Sequence, residues 1–279
     1  VATIYRCLDT HYGFLMDGSS GSLAFDTRGF DAAEMDGTRE HSGEVTSDET
    51  WGADETLRTV PSRQDGTGFG AGIDYTTENA VTIHGGAIRA RNDHFRLAAN
   101  LTKSVVTFLM DGGELADINQ FRVGMSWTGT SKSSGSAEVT IGGTAAITLN
   151  DGFYTGNSEL ALSNRGSVEV ALHFDGGTIT AKNGFVAYYC LGTNTVSFNG
   201  TTFRASAANT SFINVWDDEH RTVTIDEGGL ILDSAGFDIA ALLPFPGEGA
   251  IVKRGAGTLS ISGATTATGG LRIEAGRLA

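Results

Sequence analysis

Apolar and polar residues alternate along most of this chain, and each alternating run closes on glycine. The unit reads Phe14-Leu-Met-Asp-Gly18 near the start and returns as Val81-Thr-Ile83-His-Gly-Gly86-Ala-Ile88. It recurs as Val106-Thr-Phe108-Leu-Met110-Asp-Gly-Gly113-Glu-Leu115, Val139-Thr-Ile141-Gly-Gly143 and Leu172-His-Phe174-Asp-Gly-Gly177-Thr-Ile179. Val196-Ser-Phe198-Asn-Gly200-Thr-Thr-Phe203 and Val223-Thr-Ile225-Asp-Glu-Gly-Gly229-Leu continue the series. A period of two predicts strands with one face buried. The Asp-Gly and Gly-Gly steps predict corners that need positive φ. Asp111, Asp175, Asn199 and Asp226 precede those corners, where short polar side chains bond the local backbone. The turns fall roughly 23 to 34 residues apart, inside the spacing of solenoid repeats. Strands this short cannot bury an apolar face alone, so they must stack on like units. A propeller would need a more uniform blade, and a sandwich would show hairpins.

The stretch 247–278, GEGAIVKRGAGTLSISGATTATGGLRIEAGRL, carries the pattern most densely. Ile251 and Val252, Leu259 and Ile261, and Leu271 and Ile273 form its strand positions. It resembles the autotransporter-associated β-strand repeat. The matching residues are Lys253, Gly255, Gly257, Thr258, Leu259, Ser260, Ile261, Ser262, Gly263, Thr268, Gly269, Gly270, Ile273, Ala275, Gly276 and Leu278. Thr265, Ala267 and Arg277 stand where that repeat usually has Asn, Tyr and Thr, and they leave its glycine framework intact. The resemblance implies a secreted or surface-exposed right-handed parallel β-helix of passenger type, from a bacterium, and no particular activity. Pattern and resemblance together predict an all-β, single-stranded right-handed parallel β-helix.

Two regions depart from the rhythm. Residues 1–75 read as an irregular acidic N-terminal segment with first strands or an insertion, and a short helix around Ala32–Met35 or Asp54–Leu57 is one reading of it. Residues 76–279 read as the solenoid proper. Within it, Ser234–Glu248 carries two prolines and is expected to cover the solenoid or bend away from it, and residues 126–136 read as a surface loop. The chain starts at Val1 without a basic leader and ends in repeat-like sequence, which reads as a piece of something longer.

Composition narrows the function classes. The 279 residues hold 39 Gly and 3 Pro with 40% apolar content, which sets aside collagen and wholesale disorder. The formal net charge of −14 disfavours nucleic acid as a partner, because phosphate binding needs a concentrated basic surface. No apolar run reaches the length of a membrane helix, so no transmembrane segment is expected in this chain. Cys7 and Cys190 can be joined only across several coils, and buried thiols are the expected state.

Candidate chemistry is sparse. No GxxxxGK[ST], GxSxG or HExxH occurs. Gly66–Gly72 with Asp74 resembles, once and with a different Gly–Asp spacing, the glycine nonapeptide that binds Ca²⁺ in repeat toxins. No other cofactor or metal is expected. The densest ionic cluster is Arg89, Arg91, Asp93, His94 and Arg96. Arg89, Arg91 and His94 are the candidate glycan contacts, since a local basic stripe on an acidic rod suits a sugar acid. The alternative is an outer face paired with Glu114 or Asp117 of a neighbouring coil. Trp216 to Arg221 form a second cluster, in which Trp216 offers a ring for a sugar and the acids a cation site, or else the run is a solvated corner. Phe185, Tyr188 and Tyr189 are expected as core or stacked aromatics.

The function expected is a non-catalytic secreted or cell-surface passenger segment: adhesin, stalk or filament-forming unit. Its expected partners are a host or matrix glycan or protein, or end-to-end copies of itself. The alternative is a β-helix polysaccharide lyase or glycoside hydrolase acting on acidic glycans near Arg89–Arg96.

Overall fold

The computed structural model describes residues 38–41, 44–45, 49–51, 56–59, 69–71, 78–97, 103–124, 134–156, 167–216, 219–242, 246–263 and 266–279. Every strand pairing among them is parallel and joins a strand to its counterpart one coil away. No helix occurs among the described residues. The architecture is a parallel β-helix in which each coil contributes three short strands.

Three faces result. The first stacks Glu78–Ile83, Lys103–Met110, residues 134–141, residues 167–174, Asn194–Phe198 and Arg221–Ile225. The second stacks residues 146–149, residues 178–181, Thr202–Ala205, Leu230–Asp233, Ile251–Arg254 and Leu271–Ile273. The third stacks Phe69–Ala71, residues 95–97, residues 121–123, Phe153–Thr155, Phe185–Ala187 and residues 213–215.

Alternation explains the core. In Ser167–Ala181, Val168, Val170, Leu172 and Phe174 are buried while Glu169 and Asp175 are exposed. Because parallel strands keep register, each inward residue lies on the inward residue of the next coil about 4.8 Å away. Phe95, Phe121, Phe153 and Phe185 form one such column, with Phe121 and Phe153 stacked at 4.4 Å and 12°. Phe174 and Phe198 stack in a second column at 5.4 Å and 10°. Aromatic pairs add attraction beyond the area they bury.

Glycine is required where the first face turns into the second. Gly113 has φ +79°, and a Cβ there would lie 2.7 Å from the Gly85 carbonyl. The side chains before these corners bond between coils more than within a turn. Asp111 meets His84 Nδ1 at 2.8 Å, Asn199 donates to Asp175 at 3.3 Å, and Gly228 N–H donates to Asn199 Oδ1 at 2.8 Å.

Three expectations need amendment. Thr56 and Leu57 lie in the strand Thr56–Thr59, paired in parallel with residues 87–89, so the ladder overrides the helix reading at those two residues; Asp54, Glu55 and Ala32–Met35 lie outside the described residues. The proline-bearing stretch from Ser234 does not bend away: Ile239–Leu242 pairs with Asn209–Val215 and with Thr258–Ser262, and Ile239 and Ala241 join the core. Ser134–Ser136, expected in a loop, begin the strand Ser134–Leu149, while 125–133 lie outside the described residues.

Among the described residues, one charged side chain is fully buried at an inward position. Lys253 stands in register between Leu232 and Ile273 and is fully buried. Its Nζ donates to Arg254 O and Gly255 O at 2.7 Å, to Ser234 Oγ at 2.8 Å and to Ala275 O at 3.2 Å. These acceptors come from three successive coils, so one ammonium ties the turns together. Burial lowers its pKa from the usual 10.5, and the Asp233 carboxylate opposes the shift. Phe153→Ala is expected to lower the unfolding free energy by about 3–5 kcal/mol through the cavity it leaves. Lys253→Met is expected to cost about 2–3 kcal/mol, because carbonyls bonded to a charge lose their donor. Urea titration of both variants checks this, and a Lys253→Met midpoint equal to wild type refutes the cage.

Candidate functional site

The third face carries polar and aromatic side chains outside and phenylalanine inside. Its strands share a local signature: Asn119-Gln120-Phe121-Arg122, Asp151-Gly152-Phe153-Tyr154 and Asn183-Gly184-Phe185-Val186. The Phe points inward, so the residues on either side of it point outward. Arg96, Arg122, Tyr154, Val186 and Asn214 therefore form an outer column in strict register.

Asp151 is the hub of this face. It accepts from Gln120 Nε2, from Asn183 Nδ2, and from the Tyr154 hydroxyl at 3.0 Å. Arg122 Nε donates to Gln120 Oε1 at 2.5 Å, and Asn209 Nδ2 donates to Asn183 Oδ1 at 2.7 Å. The network thus spans four coils. Gly152 makes it sterically feasible, because a Cβ there would come 3.2 Å from Tyr154 Cε2 and 2.9 Å from Asn183 Cβ. Without a side chain at 152, the Tyr154 ring folds back over the backbone to reach Asp151.

The electrostatics follow from burial and like-charge stacking. Arg96 and Arg122 are both buried and lie in register. Burial, then the Arg96 charge, lowers Arg122 to about 10, against the opposing pull of Tyr154, Asp151 and Tyr188. Burial, then Arg122 and Arg96, pushes the His94 imidazole from 6.5 down to about 3, so it is neutral at pH 7. Burial raises the Tyr154 phenol, with Asp151 adding to the shift and the Asn183 hydrogen bond opposing it. Burial and Asp151 likewise raise Tyr188.

Aromatic rings continue the face. Tyr188 stacks on Tyr154 at 5.8 Å and 11°, and meets Trp216 edge-on at 5.1 Å. Tyr189 meets Trp216 at 5.0 Å. Arg221 clamps this corner: Nη1 donates to Trp216 O at 2.8 Å and Nη2 to Tyr188 O, and Nη2 lies 3.6 Å from the buried Cys190 Sγ.

The sequence candidates fall as follows. His94 adjoins Phe95 on this face and is brought together with Arg96 and Arg122. Arg89 is in register with Ala116 on the second face, before the register shift that separates it from Asp93. The side chains of Arg89, Arg91 and Asp93 lie outside the described residues, as do Cys7, Asp217, Asp218 and most of Gly66–Asp74. Phe185 is core, as expected, Tyr188 stacks on Tyr154, and Tyr189 meets Trp216 edge-on. Gln120, Arg122, Asp151, Tyr154 and Asn183 were not singled out from sequence. The repeated Asn/Asp-x-Phe step would have flagged them, but only with the register known. Among the described residues, no group of three or more His, Cys, Asp or Glu side chains is placed to hold a metal ion.

The His94 shift sets a pH dependence. Its folded pKa of about 3 is below the 6.5 of the unfolded chain, so between those values the unfolded state binds a proton that the folded state refuses. The stability linked to neutral His94 is complete above pH 6.5 and is lost as pH falls toward 3. His94→Gln is expected to flatten that decline. Melting curves across the window check it, and an unchanged slope in the variant contradicts it.

Residues 251–279 match the passenger-associated-transport-repeat family. No curated protein and no solved structure matches the chain. Among the described residues no helix is long and apolar enough to cross a membrane, which says nothing of membrane β-barrels. The repeat match, in a molecule whose strands all pair in parallel, fits an autotransporter passenger repeat protein.

Proposed function

We propose that this chain is a non-catalytic adhesive and structural segment of a bacterial passenger, secreted or displayed at the cell surface. The observation that carries this reading is the continuity of the ladder into the matched repeat. The coil of Leu230–Asp233 and Ile239–Leu242 pairs directly with Ile251–Arg254 and Thr258–Ser262, so the whole solenoid is one scaffold with the repeat built in. A scaffold whose coils differ mainly on their outer faces presents those faces to a partner. The most elaborate polar cluster, around Asp151, spends its hydrogen bonds on its own neighbours and so acts as mortar between coils. The acidic surface keeps such a rod soluble.

Incubation of the purified protein with polygalacturonate, alginate and heparin, alongside binding to host cells and matrix, tests the reading. Retention on cells or matrix without release of shortened glycan is expected. Depolymerisation by wild type that is abolished in Arg91→Ala replaces the structural reading with an enzymatic one.

A further inference from the structure

One stretch of the third face, which the ladder continues past into Ile239–Leu242, is unlike the rest of it. Around Asp151 the polar groups are spent on one another. One and two coils further on, past Asn183 and Asn209, three polar groups are not. Among the described residues, the Asn214 amide, the Tyr188 hydroxyl and the Trp216 indole N–H make no hydrogen bond. All three side chains are half-buried rather than fully solvated. Asn214 lies in the strand Asn209–Val215 and Trp216 just past its end, two positions and about 7 Å further along the chain. Tyr188 lies one coil below Trp216, with its ring 5.1 Å away. The result is a corner of half-exposed aromatic rings bordered by unspent donors and acceptors.

We propose that Tyr188, Asn214 and Trp216 form a binding site for an uncharged glycan, a chain of neutral hexopyranose units laid along the solenoid axis. The inference rests on the adhesive reading of the scaffold and gives it a partner. A pyranose offers C–H groups on one face and hydroxyls around its rim. The C–H face suits the negative face of an aromatic ring, and the rim suits amide, phenol and indole groups beside it. Successive coils repeat at about 4.8 Å, so a polymer running along the axis meets Tyr188 and Trp216 on successive rungs, one ring edge-on to the other.

Charge selects a neutral sugar over an acidic one. The nearest cation, Arg221, is turned inward, its guanidinium committed to the Trp216 and Tyr188 carbonyls. Arg122 is buried and donates to Gln120. Trp216 is followed in sequence by Asp217, Asp218 and Glu219, on a chain of formal net charge −14. A carboxylated or sulfated glycan would meet repulsion from a chain of that net charge. Arg221 is a positioning residue: by gripping both carbonyls it holds the two rings at their mutual angle without touching the sugar.

The test is calorimetric titration of the purified protein with cello-, manno- and malto-oligosaccharides, with oligogalacturonate and heparin oligosaccharides as charged comparators and a proline- and tyrosine-rich peptide as a non-sugar probe. Binding to at least one neutral series is expected, with affinity reduced about tenfold or more in Trp216→Ala. Asn214→Ala is expected to weaken binding several-fold. Its outward position keeps the core intact, and an unchanged melting temperature verifies that. Wild type that binds none of the neutral series, prefers the charged sugars or the peptide, or binds neutral sugar equally well in both variants overturns the proposal. Cell or matrix adhesion that persists in Trp216→Ala overturns this site and leaves the adhesive scaffold standing, whereas loss of adhesion together with sugar binding supports both.

Discussion

Parallel in-register stacking is the constraint on which the rest of this molecule depends. Each backbone position meets its own equivalent one coil away, so a side chain's principal neighbour is the residue at the same place in the next repeat. Inside, this puts Phe on Phe, as in the column through Phe95, Phe121, Phe153 and Phe185. Outside, it puts Arg96 on Arg122, an arrangement that repels and that burial makes worse. The structure offsets that cost with acceptors on the flanking columns, and Gln120 and Asp151 are the ones that link Arg122 to its neighbours. The same rule explains why the polar network around Asp151 spans coils rather than staying in one turn.

The fold was legible because its signal is periodic. Alternation at Val168, Val170, Leu172 and Phe174, closed by Asp175-Gly176-Gly177, reports a strand and a corner without knowledge of any partner. The corner acids were legible as turn residues, but their bonding partners were not, because Asp111 and His84, or Asn199 and Asp175, meet only after two coils are superposed. The outer network was illegible for the same reason. Gln120, Asp151 and Asn183 are almost evenly spaced, 31 and 32 residues apart, but nothing in that spacing says that their side chains converge; the register does. Thr56–Thr59 shows the opposite limit, where four residues of ambiguous propensity take their state from the ladder beside them.

Lys253 shows what a repeat motif encodes. In the linear pattern Lys253-Arg254-Gly255-Ala256-Gly257 the lysine looks like a surface residue between turns. In the coil it occupies a core column, and the glycine-rich turn after it supplies carbonyls for its ammonium. A hydrophobic residue there would fill the volume and take the ammonium donor from the Gly255 and Ala275 carbonyls, while Arg254 O would keep only its bonds from Ser234. The lysine and the glycines are therefore one device. Gly255 has φ +73°, and a Cβ at that position would come 2.4 Å from Asp233 Oδ1, so the turn that aims the carbonyls at Nζ depends on glycine.

On a solenoid, the difference between holding and binding lies in where hydrogen bonds are spent. Every outward polar side chain has equivalents above and below with which it can pair, and pairing is the default because a half-buried group left unmet costs free energy. Gln120, Asp151, Tyr154, Asn183 and Asn209 follow that default and convert side-chain chemistry into cohesion between coils. A coil can serve an external partner only where the default is broken. Val186 breaks it by standing below Asn214 in register, where a polar residue would have satisfied the amide. Leu242 stands in register on the other side of Asn214, so the amide lies between two apolar residues on its column and is left unmatched, two positions from Trp216 and on the side that faces away from the core.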